Sequence, residues 1–566
     1  MRRRSANVCQ MRITPRRLFS RKTLGKDLTA GAVLGIESVP DGLAAGLLAG
    51  VNPLAGLYAY LFGMVGAALF TSSSFMAVQA TGAMALVVAD ADLHTREDPE
   101  RALYTLAILA GVAMLIAGLL RAGRLVRFVP TAVMTGFVTA VGVNIVLGQL
   151  SNFTGYDASG ANRITKTIDT LVHIAQWSLP AVIVGAITLL TIVVLQPTRV
   201  SSLGLVIAVI VGSTCALMLG PWMGAPVSFL RDVVDVPRGL PAPVLPQLDD
   251  VLYLIVPACS LAFVGIVQGA GVSASIPSAD GHSRAEASRD IIGQGVGNIA
   301  AGLFRGMPVG GSMSASALIV AAGAKTRLAL FVAGAVMALV VLFASDLVAY
   351  VAMPALAGLL IVVGISAIKP SQVHSVLKTG PLQSAVMAVT FVLTLLIPLQ
   401  FAVLVGVGLG IVLFVTQASN RVRVREVWIS DDGRLREGDP RSVVPPAEVV
   451  ILQPYGSLFF ASAPTVERQL PTVSRSSRHS VVIIRLRGTD QIGLAHIDVL
   501  RRYARQLADA DSALKLVISE TRVLRQIQDA GLADVGERNI YRGDEWVGKA
   551  LRRAHSDARQ WIDEQE

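Results

Sequence analysis

The chain has 566 residues, of which 53% are hydrophobic and only 16% charged, and its mean hydropathy is +0.60. Charge is concentrated near the C-terminus: 35 of the 392 residues from 27 to 418 are charged, against 44 of the 148 from 419 to 566. Since an ordinary soluble domain is about 25% charged, these numbers exclude a secreted protein, a fibrous protein and a soluble enzyme with a small membrane anchor.

The N-terminal segment, residues 1–26, carries nine Lys or Arg residues and no acidic residue. A basic run beside an apolar segment is typical of cytoplasmic retention and of contact with anionic lipid headgroups. Most of the net charge of +10 comes from this segment, so we do not expect nucleic acid as a partner. The three cysteines, Cys9, Cys215 and Cys259, are too far apart for a disulfide framework or a metal site, and we expect neither a metal nor a cofactor.

Residues 27–418 form a predicted transmembrane transport domain. A span needs about 20 apolar residues, and the apolar segments indicate about fourteen spans. Their centres lie near Leu43, Gly63, Ala83, Ala110, Val141, Gly185, Ile210, Val264, Gly295, Leu318, Val336, Gly358, Val389 and Gly408.

The third and tenth of these segments are too short to cross the bilayer. They run from Thr81 to Ala89 and from Ser314 to Ala324, and each follows a stretch of small or polar residues, 72–79 and 307–313. Corresponding interrupted segments in two halves of a chain indicate an inverted-repeat transporter with its site at the bilayer midplane. Each half-helix would point its N-terminus, equivalent to roughly +0.5 charge, at the bilayer centre. Two such ends predict an anion site built largely from backbone.

The loops between the spans alternate in charge. Basic residues follow the even-numbered spans, as Lys325 and Arg327 do after the tenth, whereas Asp90, Asp92 and Glu97 follow the third. Because Lys and Arg concentrate on the cytoplasmic side, the pattern predicts a multi-pass protein of the cell (inner or plasma) membrane with both termini in the cytoplasm.

Six stretches resemble the sulfate permease family, also known as solute carrier family 26. They occupy residues 27–34, 39–44, 48–59, 293–304, 311–314 and 322–327. The resemblance implies a polytopic α-helical membrane protein of two inverted seven-span repeats, with a core domain that moves against a gate domain. It also implies a small cytoplasmic α/β STAS domain, a small anionic substrate and a homodimer. The seven histidines are scattered, and none lies with a Cys or an acid at ligand spacing, so we expect no enzymatic activity.

Two positions in the candidate cavity depart from that family. Asp41 stands where relatives commonly have Gln, and Gln268 stands where many have Glu. An acid at a helix centre costs about 2.5–3.5 kcal/mol on insertion scales, so we hypothesise that Asp41 is the protonatable or cation-binding group. Glu37, one turn earlier, is a second candidate for coupling. The alternative is that Asp41 only accepts backbone hydrogen bonds where Pro40 and Gly42 interrupt the helix.

The tenth-span motif lacks a fixed positive charge, because Ala315 occupies the place where anion-binding relatives often have Arg. The serine hydroxyls and the backbone amides would then hold the ligand, unless the hydroxyls serve only as helix caps. The predicted substrate-binding residues are Asp41, Gln79, Thr81, Gln268, Ser312, Met313, Ser314, Ala315 and Ser316.

Beyond a predicted linker over residues 419–447, residues 448–566 alternate short β-branched runs with helical ones. This order predicts a small α/β domain with helices on one face of a sheet, and it looks like a STAS domain. Gln491 stands where the family has a phosphorylatable hydroxyl, with Thr489 as a weak substitute. We therefore expect this domain to act in assembly more than in phosphorylation-dependent regulation.

These observations predict an elevator-type secondary active transporter of a small inorganic anion or a carboxylate, coupled to protons or a cation. Sulfate, bicarbonate, chloride, nitrate and dicarboxylates all fit the predicted site. A nucleobase-type permease, an anion channel and a transport-inactive membrane signalling or scaffold protein remain as alternatives. The STAS-like tail argues against the nucleobase permease.

Overall fold

The computed structural model describes residues 23–565, apart from 125–129, 161, 199, 224–225, 235–238, 276–286, 431–433, 489–490, 531–534 and 544–547. Most of the basic N-terminal segment and the position of Thr489 therefore lie outside the described residues. The chain divides into two compact units, Met1–Gly410 and Ile411–Glu566.

The first unit is built of helices, and every predicted span centre lies within one of them or within a π-helical turn, Ala59–Gly63, that joins α2 to α3. Seven helical segments are long and apolar enough to cross a membrane, and shorter apolar helices accompany them in the described part of the chain. The helices are α1 (Leu24–Leu48), α2 (Pro53–Tyr58), α3 (Met64–Phe70), α4 (Gly82–Ala89), α5 (Pro99–Leu119), α6 (Thr131–Thr154), α7 (Arg163–Val172), α8 (Leu179–Leu195), α9 (Gly204–Met223), α10 (Leu230–Val233), α11 (Val251–Ser275), α12 (Ala287–Leu303), α13 (Met313–Ala321), α14 (Leu328–Phe343), α15 (Ser345–Ala349), α16 (Met353–Ala367), α17 (Pro370–Thr379), α18 (Pro381–Leu396) and α19 (Leu399–Asn420).

These helices pack as two groups. The first group contains α1–α5 and α11–α14, and the second contains α6–α9 and α16–α19. Small residues allow close approach inside each group: a Cβ on Gly111 would lie 2.6 Å from the carbonyl oxygen of Gly295, and one on Gly142 would lie 2.6 Å from that of Gly364. The groups meet where α1 and α4 face α6, α9 and α16.

Two short helices in the first group begin after short strands. Strand β1 (Ala77–Gln79) leads into α4, and strand β2 (Gly310–Ser312) leads into α13. The strands are antiparallel, with Val78 opposite Gly311, so the helices run in opposite directions away from the pair. The interruptions expected from the sequence are therefore present, because α4 has eight residues and α13 has nine.

The second unit contains a six-stranded sheet in the order β4-β3-β5-β6-β7-β8, in which β5, β6, β7 and β8 are parallel. The strands are β3 (Arg423–Ile429), β4 (Leu435–Gly438), β5 (Val449–Tyr455), β6 (Val481–Leu486), β7 (Ala513–Ile518) and β8 (Ile540–Arg542), and the helices are α20 (Ala463–Glu467), α21 (Leu494–Ala508), α22 (Thr521–Asp529) and α23 (Lys549–Asp563).

Helices cover both faces of this sheet, so the expectation of helices on one face was wrong. Helices α21 and α22 pack on the face that contains Leu452 and Ile484, whereas α23 packs on the face that contains Ile451 and Ile483. Strands buried on both faces are apolar at nearly every position, and a continuous apolar run does not show by itself that a second helix layer is present.

One further expectation for this unit needs correction. The stretch expected as a linker, residues 419–447, contributes β3 and β4. At its start Arg421, Arg423 and Arg425 alternate with buried Val422 and Val424, and the high charge of the stretch outweighed this short period-2 pattern.

Candidate functional site

The candidate site lies where the N-termini of α4 and α13 approach one another across the β1–β2 pair. Thr81 caps α4, and its side-chain Oγ1 accepts a hydrogen bond from the Met84 amide at 3.4 Å. Ser312 caps α13 in the same way, accepting from the Ala315 amide at 3.3 Å. Both N-termini carry partial positive charge from unpaired backbone N–H groups, and together they form a backbone surface suited to an anion.

Gln268 connects the two half-helix entrances. The Thr81 hydroxyl donates to Gln268 Oε1 at 2.9 Å. A Cβ on Gly310, in the opposite strand, would lie 3.1 Å from the same oxygen. Gln268 of α11 therefore reaches the cap of α4 by passing over Gly310 of β2. The structure thus brings Gln268 and Thr81, two predicted site residues, into contact.

Asp41 is also held at this entrance. Helix α1 continues through Pro40 and Gly42 without a break, so the alternative that Asp41 serves a helix interruption does not describe this structure. The partner of its carboxylate is a phenol: Tyr60 Oη lies 2.6 Å from Asp41 Oδ2 and 3.0 Å from the carbonyl oxygen of Ala80. Tyr60 thus links Asp41 to the residue that precedes the cap of α4.

Gln79, the last residue of β1, is 1% exposed. Its Nε2 donates to Ser38 Oγ of α1 at 2.8 Å, while its Oε1 has no hydrogen-bond partner among the described residues. The two ends of a side-chain amide are assigned from their surroundings. If the amide were rotated by half a turn, the Ser38 hydroxyl could donate to the amide oxygen, and the NH₂ group would be left with two donors for a ligand.

The serines of the second entrance have different surroundings. Ser312 and Ser314 share a hydrogen bond of 3.2 Å, and Ser314 is exposed, as is Met313, whose exposed fraction is 43%. Ser316 is fully buried and accepts from the Ala77 amide at 2.8 Å. The Ser316 hydroxyl therefore ties α13 to β1.

Sequence reasoning missed a second glutamine, Gln294 of α12. It is fully buried, and its Oε1 accepts from the Gly311 amide at 2.9 Å. It passes so close to α11 that a Cβ on Gly269 would lie 2.0 Å from its Nε2. The available signal was a glutamine inside the glycine-rich run 293–297.

The other missed residues are Tyr60 and Ser38, the hydrogen-bond partners of Asp41 and Gln79. Tyr60 directly follows the motif at residues 48–59, and no prediction was attached to it. A hydroxyl in an apolar span is a detectable signal, but which buried group receives its hydrogen bond depends on how distant helices pack.

The ionisable side chains of the site are acidic. Asp41 and half-buried Glu37 lie one turn apart on α1, whereas α4, α11, α13 and the π-helical turn contain no Lys or Arg. Positive potential at the entrances therefore comes from peptide groups. Substitution of the acids by neutral side chains would leave an uncharged cavity with two helix N-termini.

Comparison with known proteins gives two family matches. Residues 24–390 match the model of the sulfate permease family, and residues 442–543 match the STAS domain. The chain is 30% identical over 404 residues to a probable sulfate transporter 4.2 of Arabidopsis thaliana, a match that spans 70% of the chain and 59% of that relative. It is 28% identical over 459 residues to the bicarbonate transporter BicA of Picosynechococcus sp., covering 78% and 80% of the two chains.

Solved structures show the same fold. A murine solute carrier 26 family member A9 anion transporter in the inward-facing state has a TM-score of 0.82 at 17% identity, over 95% of this chain and 92% of that one. The transmembrane domain of a cyanobacterial bicarbonate transporter BicA has a TM-score of 0.59 at 23% identity, over 69% and 98%. The helix arrangement and the C-terminal sheet are therefore shared at low sequence identity.

Proposed function

This chain belongs to the sulfate permease family and carries a STAS domain, and from that premise we propose that it is a secondary active transporter of a small anion. The observation that carries the proposal is the antiparallel β1–β2 pair, which leads into α4 and α13 in opposite directions. This arrangement would set two positive helix ends at one binding site without a fixed cation.

The proposed substrate is a small oxyanion such as sulfate or bicarbonate, the anions named for the similar transporters. The backbone amides at the start of α4 and α13 would bind it, with the side-chain amides of Gln79 and Gln268 and the free hydroxyl of the Ser312–Ser314 pair as further donors. The Thr81 hydroxyl would join them by exchanging its hydrogen bond to Gln268 Oε1 for one to the anion. An oxyanion carries several oxygen acceptors, so it can bind hydrogen-bond donors that come from several elements at once.

Asp41 is the proposed coupling group. An ionised carboxylate beside the entrance opposes an anion, whereas a protonated or cation-bound carboxylate does not. Binding of a proton or a cation at Asp41 would therefore favour binding of the anion, and by reciprocity the anion would favour the cation. Glu37, one turn away on α1, is the second candidate for this role.

The proposed movement is a shift of the first helix group against the second. Helices α1 and α4, which carry Asp41 and Thr81, are also the helices that face α6, α9 and α16. A Cβ on Gly82 would lie 2.6 Å from Ile145 Cδ1 of α6, so the start of α4 approaches the second group closely. A rigid-body shift along this surface would carry the site with the first group.

Two features of the proposal rest on the loop charges and the family. Basic residues after even-numbered spans support cytoplasmic termini, and the family supports a homodimer with no enzymatic activity. The STAS domain would then lie in the cytoplasm and assist assembly.

The test is uptake by the purified full chain in liposomes, with labelled sulfate, bicarbonate, chloride, nitrate and a dicarboxylate, and with pH and sodium gradients imposed separately. We expect saturable uptake of at least one oxyanion that one of the gradients stimulates. Conductance without stimulation by either gradient would instead identify a channel. Binding without uptake of any of these anions would contradict the proposal.

A further inference from the structure

The π-helical turn Ala59–Gly63 is unusual in the second span. Such turns are rare, and they occur most often as single turns at functional positions. Here the turn contains Tyr60, which is 2% exposed. Its hydroxyl lies between two acceptors from different elements, Asp41 Oδ2 at 2.6 Å and the Ala80 carbonyl oxygen at 3.0 Å.

A phenol has one proton to donate, so Tyr60 serves the two acceptors differently in the two protonation states of Asp41. When Asp41 is ionised, the phenol donates to the carboxylate, and a separation of 2.6 Å is typical of an O–H···O⁻ bond. The Ala80 carbonyl then faces the phenolic oxygen without receiving that proton.

When Asp41 binds a proton, the direction of donation reverses. The carboxylic acid O–H can donate to Tyr60 Oη, and the phenol O–H is then free to rotate toward the Ala80 carbonyl oxygen. The added proton stays on Asp41 throughout and no covalent bond of Tyr60 breaks. A continuous chain of hydrogen bonds therefore runs from Asp41 of α1 through Tyr60 to Ala80, the residue before the α4 cap, only when Asp41 is protonated.

We propose that Tyr60 is a positioning residue that transmits the protonation state of Asp41 to the N-terminus of α4, and so to the anion held there. This inference rests on the proposed coupling role of Asp41. It adds to that role the group that connects the proton on Asp41 to the anion at the N-terminus of α4. Neither Asp41 nor Thr81 makes this connection directly.

Few other titratable groups face this chain of hydrogen bonds. On α1 itself the ionisable side chains are Lys26, Asp27 and Glu37, and only Glu37 is within one turn of Asp41. The elements packed on α1 are the π-helical turn, the 3-10 turn Ser201–Leu203 and helices α2, α4, α6, α9, α13, α14 and α16. Their titratable side chains are Tyr60 itself, Tyr58 and Cys215. Among the described residues of α1 and these elements, Glu37 is therefore the carboxyl group whose titration must be separated from that of Asp41.

The experiment compares pH profiles of uptake between pH 5 and 8 for the full chain in liposomes, with labelled sulfate as the probe because it stays ionised over this range. We expect Tyr60→Phe, which removes only the hydroxyl, to reduce the stimulation by acidic pH about fivefold, the worth of one hydrogen bond. Asp41→Asn should abolish the stimulation. The double variant should behave like Asp41→Asn alone, because the two residues act in one chain. Glu37→Gln should keep the Tyr60 effect.

Tyr58→Phe is the matched control, since Tyr58 is buried and directly precedes the π-helical turn, whereas the phenol bonded to Asp41 is that of Tyr60. It should retain the wild-type pH profile. Thermal unfolding and size-exclusion chromatography of each variant report whether it folds. If Tyr60→Phe fails to fold, incorporation of 3-fluorotyrosine, which makes the phenol more acidic, should still shift the pH profile.

The outcomes separate the two proposals. Wild-type pH dependence in Asp41→Asn would overturn the coupling role of Asp41, and the inference on Tyr60 with it. A flat profile in Asp41→Asn together with a wild-type profile in Tyr60→Phe would overturn the inference on Tyr60 alone. Equal loss of uptake at every pH in folded Tyr60→Phe would also overturn it, since that result indicates a structural role only.

Discussion

Helices α4 and α13 begin in similar ways, with a short strand and a hydroxyl cap, but their N-termini are supported by different chemistry. At α4 the support includes an acid, through Asp41 and Tyr60. At α13 it is neutral, through Ser314 and the Gln294 amide that holds Gly311. Under the proposed function the two backbone sites would bind one anion together, and only the α4 side would respond directly to a proton or a cation.

The far ends of the two helices differ as well. Asp90, at the end of α4, forms an ion pair with Arg163 at 2.6 Å and accepts from the Leu399 amide at 2.7 Å. Arg163 begins α7 and Leu399 begins α19, and both helices belong to the second group. After α13, the amides of Lys325 and Thr326 donate to Asp27 of α1, in the same group. Helix α4 is thus attached to both groups, whereas α13 is attached to its own.

The largest effect is expected from a substitution that removes the chemical difference between the N-termini of α4 and α13. Asp41→Asn should lower gradient-driven uptake by roughly a hundredfold, the upper part of typical coupling factors, because the α4 side then lacks its ionisable group. Ser312→Ala should lower uptake under every gradient equally, since it weakens a neutral cap. Initial rates with and without a pH gradient measure both. Equal gradient dependence in the two variants would mean that the α4 and α13 sides do not differ in coupling.

The next effect concerns the surface where α4 meets α6. Gly82→Val should lower uptake about tenfold through overpacking, because even the Cβ would lie 2.6 Å from Ile145 Cδ1. A second substitution, Ile145→Ala, should restore most of the rate by making room. Gly408→Val is the control, since a Cβ there meets nothing within 4 Å. A failure of Ile145→Ala to rescue uptake would place the defect elsewhere than at this contact.

A smaller effect is expected at the far end of α4. Arg163→Met should weaken the attachment of Asp90 to the second group by about 1–2 kcal/mol, since the ion pair is only partly exposed. Impermeant thiol reagents applied from the side that carries Asp90 should then reach Ser314→Cys about fivefold faster, in a background with the native cysteines replaced by serine.

Arg96→Met is the matched control for this measurement. Arg96 pairs with Asp250 at 2.7 Å, and both residues belong to the first helix group. The control should therefore lower stability without changing access to the reporter. Equal acceleration in Arg163→Met and Arg96→Met would show that the Asp90 pair has no special relation to opening.

The smallest effect is structural. Ser316→Ala leaves the buried Ala77 amide without its acceptor, which should lower the free energy of unfolding by about 1–3 kcal/mol. Thermal unfolding in detergent measures this loss, and the apparent affinity for the anion should stay near that of the wild type. A large loss of affinity with unchanged stability would instead return Ser316 to the ligand-binding residues.

The sequence alone determined where the apolar helices lie, because each span must satisfy its own backbone in lipid and is therefore encoded locally. It also determined the two interruptions, since α4 and α13 are bounded by polar and small residues, and it singled out Asp41 because an acid in an apolar span is conspicuous. The charge step near residue 419 separated the membrane unit from the C-terminal sheet.

The tertiary structure decided which groups meet. Gln268 and Thr81 are separated by 187 positions, and the hydrogen bond between them requires α11 to cross the start of α4. Ser312 and Ser316 lie four positions apart, yet Ser312 caps the short helix α13 and Ser316 accepts a hydrogen bond from a strand. Tyr60, in a π-helical turn of the second span, reaches Asp41 of α1 across 19 positions of the chain. Local patterns specify helices, but hydrogen bonds between distant segments depend on packing that no single segment encodes.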